Sequence, residues 1–168
     1  MNLKKITKII LFSWLVISFC FVVKSEYTLN LGKEVLLKTI PVDPRDIVMG
    51  DYVILNYEIS QFQRYKDYLF EYNQPIYVKL DVNNDNIASV GKVSKEKPNG
   101  LFIKGTMGAC QSVLPIFRSG KCINYGIESY YVKEGEGRKL ERDLANGALV
   151  KVSIDRYGNA KVKGFEKL

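Results

Sequence analysis

The chain has 168 residues, enough for one domain and short for two. Its formal net charge is +7, but residues 1–25 hold four lysines and no acid, so the remainder carries only +3, a weak balance that argues against a nucleic-acid partner. Histidine is absent, which excludes imidazole as base, acid, metal ligand or physiological-pH switch.

Lys4, Lys5 and Lys8 precede an uncharged run from Ile9 to Val23, in which only Ser13 and Ser18 are hydroxylic. These fifteen residues fall short of the roughly 17–25 that a bilayer crossing needs. Ile6 and Thr7 extend the span to residues 6–23 if Lys8 snorkels toward the headgroups. The lysine excess on the amino-terminal side places that end in the cytoplasm and everything after Lys24 outside. The expectation is a membrane anchor over 1–25 and a single extracytoplasmic β domain over 26–168, with the lipid bilayer as the anchor's partner. A cleaved signal peptide is the alternative, with Val23 and Ser25 flanking the cut and a released domain beginning near Glu26. A buried helix is the third reading. Cys20 follows Phe19 rather than a small residue, so it does not fit a lipid-attachment motif.

Short alternating or β-branched stretches dominate the body. Strands are expected at Glu34–Ile40, Tyr52–Ile59, Ile76–Asp81, Ile87–Val93 and Leu101–Lys104, then at Ile123–Val132 with a break near Gly126. The last two, Ala148–Ile154 and Ala160–Phe165, form a hairpin across the Arg156–Asn159 turn. Two short helices are expected. In Gln61–Asn73, Phe62, Tyr65, Leu69 and Tyr72 share a face; Arg138–Asn146 has Leu140 and Leu144 at i,i+4 and Gly147 as a stop. Helices so short cannot serve as repeated crossovers, so the predicted class is mostly β: a small antiparallel barrel or sandwich with one or two short helices, preceded by an apolar helix.

Gly50-Asp51-Tyr52-Val53-Ile54-Leu55-Asn56-Tyr57 matches Gly-Asp-Tyr-x-x-Leu-x-Tyr at every specified position and follows Pro41-Val42-Asp43-Pro44-Arg45-Asp46. Downstream stand Tyr125-Gly126-Ile127-Glu128-Ser129-Tyr130-Tyr131-Val132, Glu134-Gly135-Glu136-Gly137 and Leu140-Glu141. From about Lys33 to Phe165 the chain resembles the bacterial GDYXXLXY protein family. The resemblance implies a small protein with an amino-terminal hydrophobic segment, encoded beside multi-spanning membrane proteins of unknown role, one of which becomes a candidate partner. It implies no catalytic residue.

The blocks themselves have a structural reading. Pro41 and Pro44 stiffen an extended approach, and Val53, Leu55 and Tyr57 share the more apolar face of a strand. Their functional reading is a polar or interaction site. It would comprise Asp43, Arg45, Asp46, Gly50, Asp51, Tyr52 and Tyr57 from the first block, and Glu128, Tyr130, Glu134, Gly135, Glu136 and Glu141 from the second. One shared site requires Asp43, Arg45 or Asp51 within about 6 Å of the Glu128–Gly137 loop, near enough for an ion pair or one bridging water.

Other motifs fail on chemistry. Asp81–Asn86 begins like a calcium loop, but Asn86 stands where glycine belongs and Lys92 where glutamate belongs. Gly105-Thr106-Met107-Gly108 lacks the lysine–hydroxyl ending of a phosphate loop. The carboxylate pairs Asp51 with Glu58 and Glu128 with Glu136, and a serine–lysine dyad through Ser89, Ser94 or Ser129, are formally open but have no pattern behind them. No cofactor or metal is implied. Cys110 and Cys122 are the only cysteines beyond the hydrophobic run, and a disulfide between them is expected if the domain lies outside. The functional expectation is a non-enzymatic accessory or interaction domain of a bacterial membrane assembly. The alternative is an envelope enzyme or small-ligand binder using the Asp/Arg/Glu site.

Overall fold

A computed structural model describes residues 3–40, 52–61, 70–109, 121–133, 140, 144 and 147–166. The first element, α1 (Leu3–Leu31), is a continuous helix of 29 residues. Its apolar side chains face outward along the whole run: Ile9 is 56% exposed, Trp14 73% and Phe21 77%. It is long and apolar enough to cross a membrane. The helix passes through the expected boundary at Ser25 and Glu26. Beyond the apolar run it stays helical because its last turns pack on a sheet, with Thr28 buried.

Among the described residues nine strands follow: β1 (Lys33–Lys38), β2 (Tyr52–Ile54), β3 (Pro75–Val82), β4 (Ile87–Ser94), β5 (Phe102–Ala109), β6 (Lys121–Asn124), β7 (Ser129–Tyr131), β8 (Leu149–Ile154) and β9 (Ala160–Glu166). Seven form one sheet in the order β6-β5-β3-β4-β1-β8-β9, and β2 pairs with β7 apart from it. The fold is mostly β, as the sequence predicts, with one departure. The pairing of β1 with β4 is parallel, through Leu36 with Ile87 and Leu37 with Ala88, so the sheet is mixed rather than antiparallel throughout. The sequence cannot show this, because periodicity specifies faces and not neighbours.

The sheet curls toward a half-barrel, which brings the β8–β9 turn against β5. The Lys104 amide of β5 donates to Gly158 O in the β8–β9 turn at 2.8 Å. Gly158 has φ +83°, and a Cβ there would lie 2.6 Å from the Phe102 ring, so glycine is required on both counts. Tyr130 of β7 meets Phe165 of β9 edge-on, with ring centroids 4.9 Å apart. The core inside this half-barrel gathers Val35, Leu37, Val78, Ile103, Val150 and Val152, all fully buried.

Three expected elements differ in extent. Tyr52–Ile59 is strand only to Ile54, and a 3₁₀ turn occupies Glu58–Ser60. The inward alternation nevertheless continues through Val53, Leu55, Tyr57 and Ile59, all buried. Strand β5 runs on through Gly105–Gly108 to Ala109, where Gly105 fits under Ile123 and the Asn124 backbone. The described ends of the helix expected over Gln61–Asn73 are not helical: Gln61 forms an isolated bridge with Cys122, and Tyr72 and Asn73 form a turn, with Asn73 at φ 61°. Its middle lies outside the described residues. Leu140 and Leu144 are helical, and Leu144 is buried. The Asn83–Asn86 segment is a hairpin turn in which Asn83 Oδ1 accepts the amides of Asp85 and Ile87.

Candidate functional site

The two sequence blocks meet through backbone and buried polar groups. Strand β2 pairs antiparallel with β7, Tyr52 opposite Tyr131, Val53 opposite Tyr130 and Ile54 opposite Ser129. The Leu55 amide then donates to Glu128 O at 2.7 Å. Two tyrosines cross the join in opposite directions. The Tyr57 hydroxyl donates to Ile127 O at 2.9 Å, and the Tyr125 hydroxyl donates to Ile59 O at 2.7 Å. Each phenol fills core space with its ring and closes a main-chain carbonyl with its tip.

Glu128 is 7% exposed and turned inward. One carboxylate oxygen accepts the Tyr125 amide, and the other accepts the Gly126 amide at 2.8 Å. Gly126 has φ +79°, so this is a tight turn that glycine permits and the carboxylate fastens. Burial, and secondarily the neighbouring Glu128 charge, push the Tyr57 phenol far above the ordinary tyrosine range. Tyr57 is therefore a fixed neutral donor rather than an acid or base for catalysis.

The remaining candidates divide cleanly. Tyr52 begins β2, and Tyr130 is half-buried against Phe165. Asp43, Arg45, Asp46, Gly50, Asp51, Glu134, Gly135, Glu136 and Glu141 lie outside the described residues. The expected approach of Asp43, Arg45 or Asp51 to the Glu128 loop falls with them, although the strands flanking it pair as described. Cys122 is disulfide-bonded and Cys20 is a free thiol exposed on α1; Cys110 is outside the described residues. Among the described residues, no three His, Cys, Asp or Glu side chains are placed to hold a metal ion.

A second polar cluster, which sequence reasoning misses, fixes the helix to the sheet. Asp155 is 5% exposed at the start of the β8–β9 turn. Its Oδ1 accepts the Tyr157 and Asn159 amides at 2.8 and 2.9 Å; its Oδ2 accepts Asn159 Nδ2 at 2.8 Å and the Thr28 hydroxyl at 3.0 Å. Burial pushes this carboxyl up and is the largest single influence on it. The Asn159 side chain and backbone, the Tyr157 backbone and the Thr28 hydroxyl together outweigh it and hold the carboxyl below the ordinary aspartate value. The Ser153 hydroxyl donates to Thr28 O at 2.6 Å. Gly32 lets the chains touch, since a Cβ there would lie 2.4 Å from Ser153 Oγ. The signal in the sequence is Asp155 opening a turn that ends Gly158-Asn159, a pattern suited to capturing backbone amides. The contact with Thr28, 127 positions away, has no local signal.

The arrangement can therefore do two things: lock the two blocks into one core, and hold the domain at a set angle to its apolar helix. Comparison with curated proteins finds no match, and comparison with solved structures finds none. The family model described as GDYXXLXY protein matches residues 14–165, from within the apolar helix into β9. That span is nearly the whole chain, and the chain belongs to the GDYXXLXY family, a bacterial family of unknown function.

Proposed function

We propose that the protein is a non-enzymatic accessory domain of a bacterial membrane assembly, held against the outer face of the membrane by α1. The observation that carries this reading is the junction of Thr28, Gly32, Ser153 and Asp155. A flexible tether suits an enzyme that must reach a diffusing substrate. A helix hydrogen-bonded into the sheet suits a platform presented to a neighbour in the same bilayer. The apolar helix supports the anchoring, and the excess of Lys4, Lys5 and Lys8 over Lys24 supports an outward-facing domain. The partner would be a multi-spanning membrane protein. Residues 1–25 would be the membrane part and 26–168 the platform, with the helix continuing across that boundary.

The alternative, an enzyme or ligand binder with Glu128 in its site, is weakened by the occupation of both Glu128 oxygens by main-chain amides. The test is affinity capture of the full chain from detergent-solubilised membranes, followed by mass spectrometry. Stoichiometric recovery of an integral membrane protein is expected. Recovery of this chain alone, after crosslinking in intact cells as well as without it, would overturn the accessory role.

A further inference from the structure

Three lysines from distant parts of the chain line one cleft. Lys24 comes from α1, Lys104 from β5 and Lys161 from β9, around a volume of about 400 Å³ between helix and sheet. Among the described residues no aspartate or glutamate lines this cleft, and the two carboxylates behind its walls are taken up by hydrogen bonds, Asp155 with Thr28 and Asn159 and Glu128 with the Tyr125 and Gly126 amides. Two other lysines of the same sheet find acids: Lys151 pairs with Glu166, and Lys163 pairs with Glu34. Among the described residues, none of the three cleft lysines has such a partner. Three cations around one cleft favour an anion within it. Thr106 and Asn124 add uncharged polar groups to the same walls.

The position of the cleft along the helix identifies the anion. Its helical wall includes Phe21, 77% exposed, and Lys24 one turn later. The apolar run ends between them at Val23. At 1.5 Å per residue, Lys24 stands about 24 Å along the axis from Lys8. With both lysines reaching outward, that matches a hydrocarbon layer of about 30 Å. The cleft therefore opens where hydrocarbon gives way to phosphate. Exposed Tyr27 and Tyr157 lie near it in sequence, and tyrosine favours that level of a membrane.

We infer that this cleft binds the phosphate of a net-anionic phospholipid headgroup, held by Lys24, Lys104 and Lys161. The inference rests on the anchoring reading above but not on which face of the membrane carries the domain. Phosphate chemistry is shared by free phosphate, and the experiment separates the two sources. The full chain would be reconstituted into nanodiscs of phosphatidylglycerol and phosphatidylcholine in equal amounts. After flotation confirms that each protein is bilayer-held, it would be extracted in mild detergent and its retained lipid measured by native mass spectrometry. Lys104→Gln with Lys161→Gln leaves the span untouched. At roughly fivefold per lysine, retained phosphatidylglycerol should fall by ten- to thirtyfold relative to phosphatidylcholine. Lys79→Gln with Lys92→Gln removes the same charge from an exposed cross-strand pair elsewhere and should leave retention unchanged. Equal retention in all three proteins, or equal loss in both variants, would overturn the site. Displacement of the lipid by excess inorganic phosphate would overturn the lipid source. A wild-type chain that does not float with the nanodiscs would overturn the anchoring reading itself.

Discussion

Glu128 and Tyr57 show how a residue with functional chemistry becomes part of a core. The inward face of Tyr57 is legible from the sequence, because Val53, Leu55, Tyr57 and Ile59 alternate and all are buried. The fate of Glu128 is not legible. It stands in the expected Ile123–Val132 strand and close to Lys133, Glu134 and Glu136, a local pattern that leaves its orientation open, and its carboxylate turns inward onto the Tyr125 and Gly126 amides. Its burial goes with the long-range approach of the first block, whose Leu55 amide bonds to the Glu128 carbonyl. Glu128→Gln keeps one acceptor and sets an NH₂ against a main-chain N–H. It should cost about 1–3 kcal/mol, and Tyr57→Phe, which strands the Ile127 carbonyl, a similar amount. Denaturant unfolding of the full chain in micelles measures both. Losses under about 0.5 kcal/mol would show that these groups are not part of the fold's lock. Asp155 makes a pH prediction at the same scale. Its folded-state pKa lies below its unfolded value, so its contribution is complete above the ordinary aspartate range and is lost as pH falls through the depressed folded value. Asp155→Asn should therefore destabilise the protein at neutral pH, and its deficit against wild type should shrink below about pH 4. A deficit constant from about pH 7 to pH 3 would contradict that linkage.

At the scale of elements, strands announced by alternation survive best. Val150, Val152 and Ile154 share a face and are all buried, as their spacing requires. What periodicity cannot supply is adjacency. The sequence gives no sign that β8 lies between β1 and β9, or that α1 continues to Leu31 and docks there. The continuation has a physical cause in the Thr28, Ser153 and Asp155 contacts, which lie over 120 positions apart along the chain. These facts raise the weight of the carboxyl-terminal hairpin. Cutting before Ala148 removes all six pairings of β1 with β8, three buried β-branched side chains and the seat of the helix. Each such side chain is worth about 1.5–3 kcal/mol, so their sum rivals the whole stability of a typical domain. The truncated chain should unfold without a cooperative transition. A sharp transition near the parent temperature would mean that the hairpin is dispensable and that the core lies elsewhere.

For the whole molecule, the address was more legible than the activity, because an apolar run needs no partner to be read while a binding surface does. The cysteines test that address through chemistry independent of the helix. Cys20 is free on α1, and Cys122 is disulfide-bonded. With three cysteines in the chain, the pairing expected from the sequence joins Cys122 to Cys110, across an interval of eleven residues. Closing that loop would stabilise the domain by roughly 2–4 kcal/mol, chiefly by restricting the unfolded chain. Disulfides persist chiefly in oxidising compartments, so a stable bond is what a domain facing away from the cytoplasm would keep. Full-length protein extracted under alkylating conditions, then denatured without reduction, should show one reactive thiol, and three after reduction. Cys20→Ser should then show none before reduction, which assigns the single thiol to the helix. Cys110→Ser should leave Cys122 exposed to the alkylating reagent and lower the denaturation midpoint. Three thiols before reduction would remove the disulfide and, with it, the chemical support for an extracytoplasmic domain; the lysine asymmetry around α1 would then stand alone as the argument for orientation.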